Sequence, residues 1–143
     1  MAMTCRDVMK ADVECCSAED TAQHAAQLMR DGNMGFIPIC DERKRVMGVV
    51  TDRDLAIRLV ADNLPATTRL SQLMTREVVG CRPTDPISRA QELMASRKKS
   101  RMLVLDADDR LVGVISLSDL AQEGSDGAAT LREVSSREVR ARA

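Results

Sequence analysis

Residues 46–54 read Val-Met-Gly-Val-Val-Thr-Asp-Arg-Asp, and residues 111–119 read Leu-Val-Gly-Val-Ile-Ser-Leu-Ser-Asp. Each stretch is an apolar run containing a glycine, and each ends in a hydroxyl residue followed three positions later by aspartate. This pattern predicts a buried strand that runs into a helix, because Ser and Thr favour the N-cap position. The two copies lie 65 residues apart.

The same offset relates most of the chain to itself. Shifted by 65 residues, Met9–Leu55 aligns without a gap on Met74–Leu120, and 13 of the 47 positions are identical. Such a duplication predicts two similar units packed about a pseudo-two-fold axis. Any pocket at their seam is then expected in two related copies.

Both copies predict the same order of elements. In the first copy these are a strand at Asp12–Cys16, a helix capped by Asp20 and ended by Asp31-Gly32-Asn33, a hairpin of Phe36–Cys40 and Val46–Val50, and a helix from Thr51. In the second they are a strand at Glu77–Cys81, a helix after Asp85-Pro86, a hairpin of Met102–Leu105 and Leu111–Ile115, and a helix from Ser116. Each unit is therefore predicted to be β-α-β-β-α, which is an α/β fold class of the α+β type.

Turn-forming and charged residues set the predicted boundaries. We expect a first repeat at 1–62, a linker at 63–70, a second repeat at 71–122 and a charged C-terminal tail at 123–143. The linker holds Asn63, Pro65 and two threonines, and Gly124 and Gly127 break the helical pattern after the second repeat.

Composition excludes several classes of partner. The net charge is -1 and the chain has no Trp, no Tyr and one Phe, so neither a basic face nor a base-stacking platform for nucleic acid is expected. No apolar run approaches the roughly 18 residues that span a bilayer, and we expect a cytoplasmic protein without a membrane partner. The five cysteines are expected to be thiols, since they form no C-x-x-C pair.

No catalytic constellation is evident in the sequence. His24 is the single histidine, so a histidine-based triad or a multi-histidine metal site is excluded. His24 itself is expected in mid-helix as a surface residue rather than a metal ligand. The sequence contains no G-x-x-x-x-G-K-[ST], G-x-S-x-G or H-E-x-x-H motif. We therefore predict a protein that is not an enzyme and has no metal site.

The strand-to-helix junctions suit an anionic or sugar-bearing ligand. Free N–H groups of a helix N-terminus favour phosphate, and the carboxylates of Asp54 and Asp119 could each accept hydrogen bonds from the two hydroxyls of a ribose. Gly48 and Gly113 are expected to leave room for a ligand against the strand. A capping box, in which the acid serves only the N-cap backbone, explains the same residues, and the two roles can coexist.

Two β-α-β-β-α repeats that each close on G-h-h-[TS]-x-x-D resemble a pair of CBS domains, named after cystathionine β-synthase. The resemblance covers residues 5–122 and is closest to small stand-alone bacterial CBS pairs, whose first motif often reads Thr-Asp-Arg-Asp, as residues 51–54 do here. It implies a Bateman module with clefts between the domains for adenosine compounds: AMP, ADP, ATP, NAD(H) or S-adenosylmethionine. AMP is the first expectation, and no cofactor is required.

Carried over by position, the resemblance assigns nucleotide-binding roles to both repeats. The ribose contacts are Thr51 and Asp54 in one site and Ser116 and Asp119 in the other, with Ser118 as a further donor.

The phosphate is expected at Arg101, where the first repeat departs from the family with Phe36. The site of the first repeat would then depend on Arg53 or on the partner repeat, and Arg53 is equally well explained as a solvent-facing helix residue. The base is expected to pack on apolar strand residues that are also core candidates, and backbone at the ends of the first strands is a further contact region. These residues are Ile37, Pro38, Met102, Leu103, Cys16 and Cys81.

The predicted function is a non-catalytic sensor of adenosine nucleotides. Ligand binding would alter the packing of the repeats and of a homodimer formed through helices, and so transmit a signal to an unidentified regulated protein. Two alternatives remain open at this point. One is a dimeric scaffold or stress protein with degenerate clefts, and the other is a thiol redox sensor built on Cys15 and Cys16.

Overall fold

The computed structural model describes residues 3–121. Its helices and strands, in chain order, are α1 (Cys5–Val8), α2 (Ala22–Gly32), β1 (Phe36–Cys40), β2 (Val46–Thr51), α3 (Asp52–Asp54) continuing as a π-helix (Leu55–Val60), a 3-10 turn (Leu70–Gln72), β3 (Gly80–Cys81), α4 (Ile87–Arg97), β4 (Arg101–Leu105), β5 (Leu111–Ser116) and α5 (Leu117–Ala121). The mixed helix-and-strand class predicted from the sequence is confirmed. The predicted tail at 123–143 lies outside the described residues.

The chain divides into two compact units. The first unit is residues 14–78, and the second unit combines residues 3–13 with 79–121. The first unit therefore includes residues 71–78, which the sequence analysis placed in the second repeat. The second unit includes residues 3–13, which it placed in the first repeat.

Equivalent bridges attach these two segments. Val49 of β2 forms an antiparallel bridge with Thr75, and Val114 of β5 forms one with Lys10. Lys10 and Thr75 are themselves 65 residues apart. The duplication therefore includes the segment that packs beside the last strand of each unit.

In the first unit, β1 and β2 form an antiparallel hairpin. The strand predicted at Asp12–Cys16 is reduced to a single parallel bridge between Cys16 and Ile39. Helix α2 buries its small apolar face, Ala22, Ala25 and Met29, as its period predicts. The core of this unit is made of buried side chains from α2, both strands, the π-helix and the 3-10 turn, together with neighbouring residues: Cys16, Ala22, Ala25, Met29, Ile37, Ile39, Val50, Leu55, Leu70, Leu73 and Met74.

The second unit has a three-stranded sheet in the order β3-β4-β5. Strand β3 pairs parallel with β4, and β4 pairs antiparallel with β5. Helix α4 buries Ala90 and Met94, and full burial of the Met94 side chain contributes about 1.5–3 kcal/mol. The core of this unit contains Cys5, Cys81, Ala90, Met94, Met102, Val104, Ile115, Leu117 and Leu120.

Both predicted N-cap aspartates, Asp20 and Asp85, lie one residue before the observed caps. The caps are Thr21 for α2 and Pro86 for α4. Asp20 instead accepts a hydrogen bond from the Ser17 N–H at 2.9 Å, and Asp85 accepts one from the Arg82 N–H at 2.8 Å. An aspartate that binds the amide three residues earlier closes the turn before the helix, which competes with capping.

The predicted C-terminus of α2 is confirmed. Asn33 caps it in the left-handed region with a φ of 51°, a conformation that Asn tolerates better than most residues. Its counterpart Lys98 adopts the same conformation at the end of α4, with a φ of 55°. Among residues 3–121, no helix combines the length and the apolar character that crossing a bilayer requires.

Candidate functional site

The first motif forms a complete capping box at the start of α3. The Thr51 hydroxyl accepts a hydrogen bond from the Asp54 N–H at 3.1 Å, and Asp54 Oδ2 accepts one from the Thr51 N–H at 3.0 Å. Asp52 makes a similar local bond to the Arg53 N–H at 2.8 Å. Arg53 and Asp52 are exposed. The capping interpretation of Thr51 and Asp54 is therefore correct in its geometry.

Asp54 also serves two residues that the sequence analysis missed. The Thr75 hydroxyl donates to Asp54 Oδ1 at 3.3 Å, and Arg58 Nε lies 3.8 Å from the same oxygen. Arg58 further donates to the carbonyls of Leu73 and Met74, both at 3.3 Å. Because these partners surround the carboxylate, the Asp54 side chain is only 13% exposed.

The second motif forms the same box with fewer neighbours. Asp119 Oδ2 accepts from the Ser116 N–H at 2.9 Å, and the Ser116 hydroxyl accepts from the Asp119 N–H at 3.3 Å. Ser116 Oγ and Ser118 Oγ are 2.8 Å apart, so one hydroxyl donates to the other. Within residues 3–121, Asp119 Oδ1 accepts no hydrogen bond. This oxygen and the exposed Ser118 hydroxyl are the polar groups of the motif that can serve a ligand.

Strand pairing places a cationic residue, Arg101, beside the second motif and an aromatic residue, Phe36, beside the first. Arg101 pairs with Ser116 across β4 and β5, and Phe36 pairs with Thr51 across β1 and β2. Directly paired residues have Cα atoms about 4.5–5.5 Å apart. Arg101 is exposed and forms no salt bridge with the described part of the chain. The structure therefore juxtaposes Arg101 with Ser116 inside one unit.

The two motif glycines do not make room for a ligand, contrary to expectation. A Cβ at Gly48 would lie 2.7 Å from the Thr75 carbonyl oxygen, and one at Gly113 would lie 2.5 Å from Met9 Sδ and 3.0 Å from the Lys10 carbonyl oxygen. Both glycines instead allow a neighbouring segment to approach closely. This bridging segment contains Thr75 beside β2 and Lys10 beside β5. The sequence marks both segments through the 65-residue offset, which aligns Met9 with Met74 and Lys10 with Thr75.

The apolar residues assigned to the base are interior residues. Ile37 and Met102 are fully buried and Leu103 is 2% exposed, and Pro38 is buried beside Ile37 in β1. At Cys16, the N–H donates to the Pro38 carbonyl and the carbonyl accepts from the Cys40 N–H. Cys81 is paired with Val104 in the sheet. The backbone groups of both cysteines are therefore committed to strand pairing.

The thiols lie mostly in the interior. Burial raises the pKa of Cys16 to about 11 and that of Cys40 to about 12. Cys5 and Cys81 have sulfur atoms 3.3 Å apart, and this hydrogen bond lowers the pKa of Cys5 while it raises that of Cys81. A thiol with a raised pKa is a poor nucleophile at neutral pH, which disfavours Cys16 as a redox centre.

Comparison with known proteins identifies the family. The family model for the CBS domain matches twice, at residues 5–61 and 70–126. The chain is 36% identical over 116 residues to the CBS domain-containing protein YhcV of Bacillus subtilis, and the match covers 81% of both chains. It is 32% identical over 120 residues to hypoxic response protein 1 of Mycobacterium tuberculosis, with 83% of both chains covered. The chain belongs to the CBS-domain family and contains a pair of these domains.

Solved structures support the same fold. The structure of Hypoxic Response Protein I with two coordinated zinc ions matches with a TM-score of 0.78 and 31% identity, covering 86% of this chain and 100% of that one. The structure of CBSX2 in complex with AMP matches with a TM-score of 0.75 and 22% identity, covering 85% of this chain and 95% of that one.

Proposed function

We propose that the protein is a non-catalytic regulatory module that binds an adenosine nucleotide, AMP foremost, at the junction of β5 and α5. The observation that carries the proposal is the free Asp119 Oδ1 beside the Ser116 and Ser118 hydroxyls, with Arg101 on the adjoining strand. A carboxylate oxygen can accept from a ribose hydroxyl, and a guanidinium can bind phosphate through paired donors. Further support comes from the family, in which CBSX2 has been solved with AMP.

The second motif should bind nucleotide more tightly than the first. A ribose at Asp54 would compete with the Thr75 hydroxyl and the Arg58 guanidinium, which already occupy Oδ1. A ribose at Asp119 displaces no described partner of Oδ1. At Asp54 the ribose must replace hydrogen bonds within the protein, whereas at Asp119 it replaces only water, so the net gain should be larger at Asp119. Arg101 adds phosphate attraction only in the second unit.

Ligand-induced stabilisation tests this function directly. Thermal unfolding with AMP, ATP, NADH and S-adenosylmethionine should reveal one class of stabilising ligand, since a ligand at 100 times its Kd stabilises by about 2.7 kcal/mol. 2′-Deoxy-AMP should stabilise less than AMP, because it lacks one ribose hydroxyl. If none of the four compounds changes the melting temperature, the sensor function is wrong and a scaffold role becomes the better explanation.

We propose further that the module works as a homodimer formed through helices. Support comes from the π-helix of the first unit and the turn after it, where Ile57, Val60 and Leu64 are 48%, 71% and 40% exposed. Clustered exposed apolar residues often mark an interface. Light scattering should give twice the monomer mass at micromolar concentration, and Val60→Lys should lower it. A monomer mass for the parent protein would exclude the dimer.

The proposed setting is the cytoplasm. Cys5, Cys15, Cys16, Cys40 and Cys81 are all free thiols, as is usual in a reducing compartment. In that setting the nucleotide level would reach an unidentified partner protein through a change in module packing. Cell fractionation with an untagged chain would test the location, and recovery outside the cytoplasmic fraction would contradict it.

A further inference from the structure

Three side chains of different chemistry converge in the first unit, away from the strand-to-helix motif. A sulfur of Cys16, a carboxylate oxygen of Asp20 and a ring nitrogen of His24 all lie within 4.8 Å of one another. We propose that these three residues bind a divalent transition-metal ion, with Zn²⁺ as the best match. This site is independent of the proposed nucleotide function, because none of its side chains belongs to either capping box.

Local structure holds the three residues together. Cys16 is fixed by its backbone bridge to Ile39, and Asp20 follows in the turn that it closes with the Ser17 N–H. His24 lies in the first turn of α2, where its own N–H donates to the Thr21 hydroxyl at 3.2 Å. A carboxylate that accepts one amide proton retains its other oxygen for a metal. The scaffold therefore fixes the backbone of each ligand before any ion binds.

The donor set suits zinc. Zn²⁺ binds thiolate sulfur at about 2.3 Å and imidazole nitrogen or carboxylate oxygen at about 2.0–2.2 Å, usually in tetrahedral geometry. Tetrahedral ligands at those lengths lie about 3.5 Å apart. The ligand atoms, which lie within 4.8 Å of one another, must therefore move about 1 Å closer together when a metal binds. Rotation of the side chains can supply this movement. Mixed sulfur, nitrogen and oxygen ligands favour Zn²⁺ over Mg²⁺ or Ca²⁺, which prefer oxygen alone.

Three protein ligands leave one tetrahedral position for water or an external ligand. Burial differs among the three: Cys16 is 3% exposed, Asp20 is half-buried and His24 is exposed. The metal would consequently reach the site from the His24 side and meet the thiol last. His24, the single histidine of the chain, does not belong to the hydrophobic core. Metal binding would be its function.

The second unit provides an internal control. By the 65-residue offset, Cys16, Asp20 and His24 correspond to Cys81, Asp85 and Arg89. Cys81 is buried and Asp85 closes the same turn as Asp20, so the Cys-x-x-x-Asp pair has a structural use without any metal. Arg89 cannot ligate a cation because its guanidinium remains protonated. Only the first unit has all three donors.

Cobalt titration of the full, untagged, reduced and metal-free chain tests the proposal. Co²⁺ replaces Zn²⁺ in tetrahedral sites and gives a thiolate-to-metal absorption band when a cysteine binds it. We expect one equivalent of Co²⁺, the thiolate band, and displacement by Zn²⁺. Absence of the band, or of any binding at micromolar protein, would overturn the proposal.

Variants separate metal binding from folding. His24→Ala changes an exposed residue and should weaken Co²⁺ binding at least about tenfold, as even loss of an outer-shell partner does. Asp20→Asn keeps an acceptor for the Ser17 N–H and removes the charge, so it should weaken binding without loosening the turn. Cys16→Ser should remove the thiolate band, whereas the matched Cys81→Ser should keep it. Equal binding by His24→Ala and the parent protein would exclude this site.

Discussion

The two strand-to-helix motifs share their capping geometry and differ in what else their carboxylates do. Asp54 and Asp119 each bind the N–H of the hydroxyl residue three positions earlier, at 3.0 and 2.9 Å. Asp54 additionally binds Thr75 and lies near Arg58, whereas the second oxygen of Asp119 has no partner among residues 3–121. Both copies have therefore kept the capping hydrogen bonds. The Asp54 carboxylate also stabilises its unit, whereas the Asp119 carboxylate is available to a ligand.

The cause lies in the residues around the motifs. Thr75 corresponds to Lys10 by the 65-residue offset, and Arg58 corresponds to Glu123, which is outside the described residues. Lys10 keeps the backbone bridge to Val114 but forms no salt bridge with Asp119 among the ion pairs of the described chain. The difference between Thr75 and Lys10 thus contributes to the inequality of the two sites.

The largest expected effect is on nucleotide binding at the second motif. Asp119→Ala removes a charged acceptor from the ribose and should weaken AMP binding by about 1.5–3 kcal/mol, roughly ten- to hundredfold. Asp54→Ala should weaken it much less, because that carboxylate is already occupied. Isothermal titration calorimetry with AMP measures both variants.

A charge control is available in the exposed hairpin turn of the second unit. Asp108→Ala removes an acid of the same sign from a position away from the motif and should leave the affinity for AMP unchanged. Equal losses in Asp54→Ala and Asp119→Ala would show that the two sites are equivalent and would remove the basis of the comparison.

The next effect concerns the glycines beside the bridging segments. Gly48→Ala places a methyl group against the Thr75 carbonyl, which is backbone and can move little, so the free energy of unfolding should fall by about 2–3 kcal/mol. Gly113→Ala first meets the flexible Met9 side chain and should cost about 1–2 kcal/mol. Urea denaturation measures both. A larger loss for Gly113→Ala would mean that the Met9 side chain cannot move aside.

A smaller difference is expected in the stability of the capping variants. Asp119→Ala should lower the free energy of unfolding by about 1 kcal/mol, the usual value of an N-terminal cap. Asp54→Ala should cost about 2 kcal/mol, since the Thr75 hydroxyl also loses its acceptor. Thr75→Val in the same urea assay isolates that added hydrogen bond. If the two aspartate variants are equally stable, the contacts of Asp54 with Thr75 and Arg58 contribute nothing net.

Sequence reasoning predicted those parts of the structure that follow from periodicity and duplication. The hairpins, the apolar face of α2 and the left-handed cap at Asn33 follow from local patterns, and the offset predicted matching motifs. Arg101 was assigned from the family resemblance alone, and the strand pairing that places it opposite Ser116 is seen only in the structure.

The remaining features depend on contacts distant in sequence. Thr75 reaches Asp54 across 21 positions, and no local pattern marks it. The same holds for Gly48 and Gly113, whose function depends on which segment lies beside them. Asp20 was misassigned because Asp closes turns and caps helices with similar preference, and only the three-dimensional register separates the two uses.

The smallest expected effect is that of Arg101 on phosphate. Arg101→Ala removes an exposed guanidinium beside Ser116, and exposed charge pairs contribute about 0.2–1 kcal/mol, so AMP affinity should fall by no more than about fivefold. The affinity for adenosine, which lacks phosphate, should not change. The salt dependence of AMP binding should also decrease, because exposed charges are screened by ions. Phe36→Ala is the matched variant in the first unit and should not alter the salt dependence. If Arg101→Ala lowers the affinities for AMP and adenosine equally, the guanidinium acts on the shape of the site and not on the phosphate.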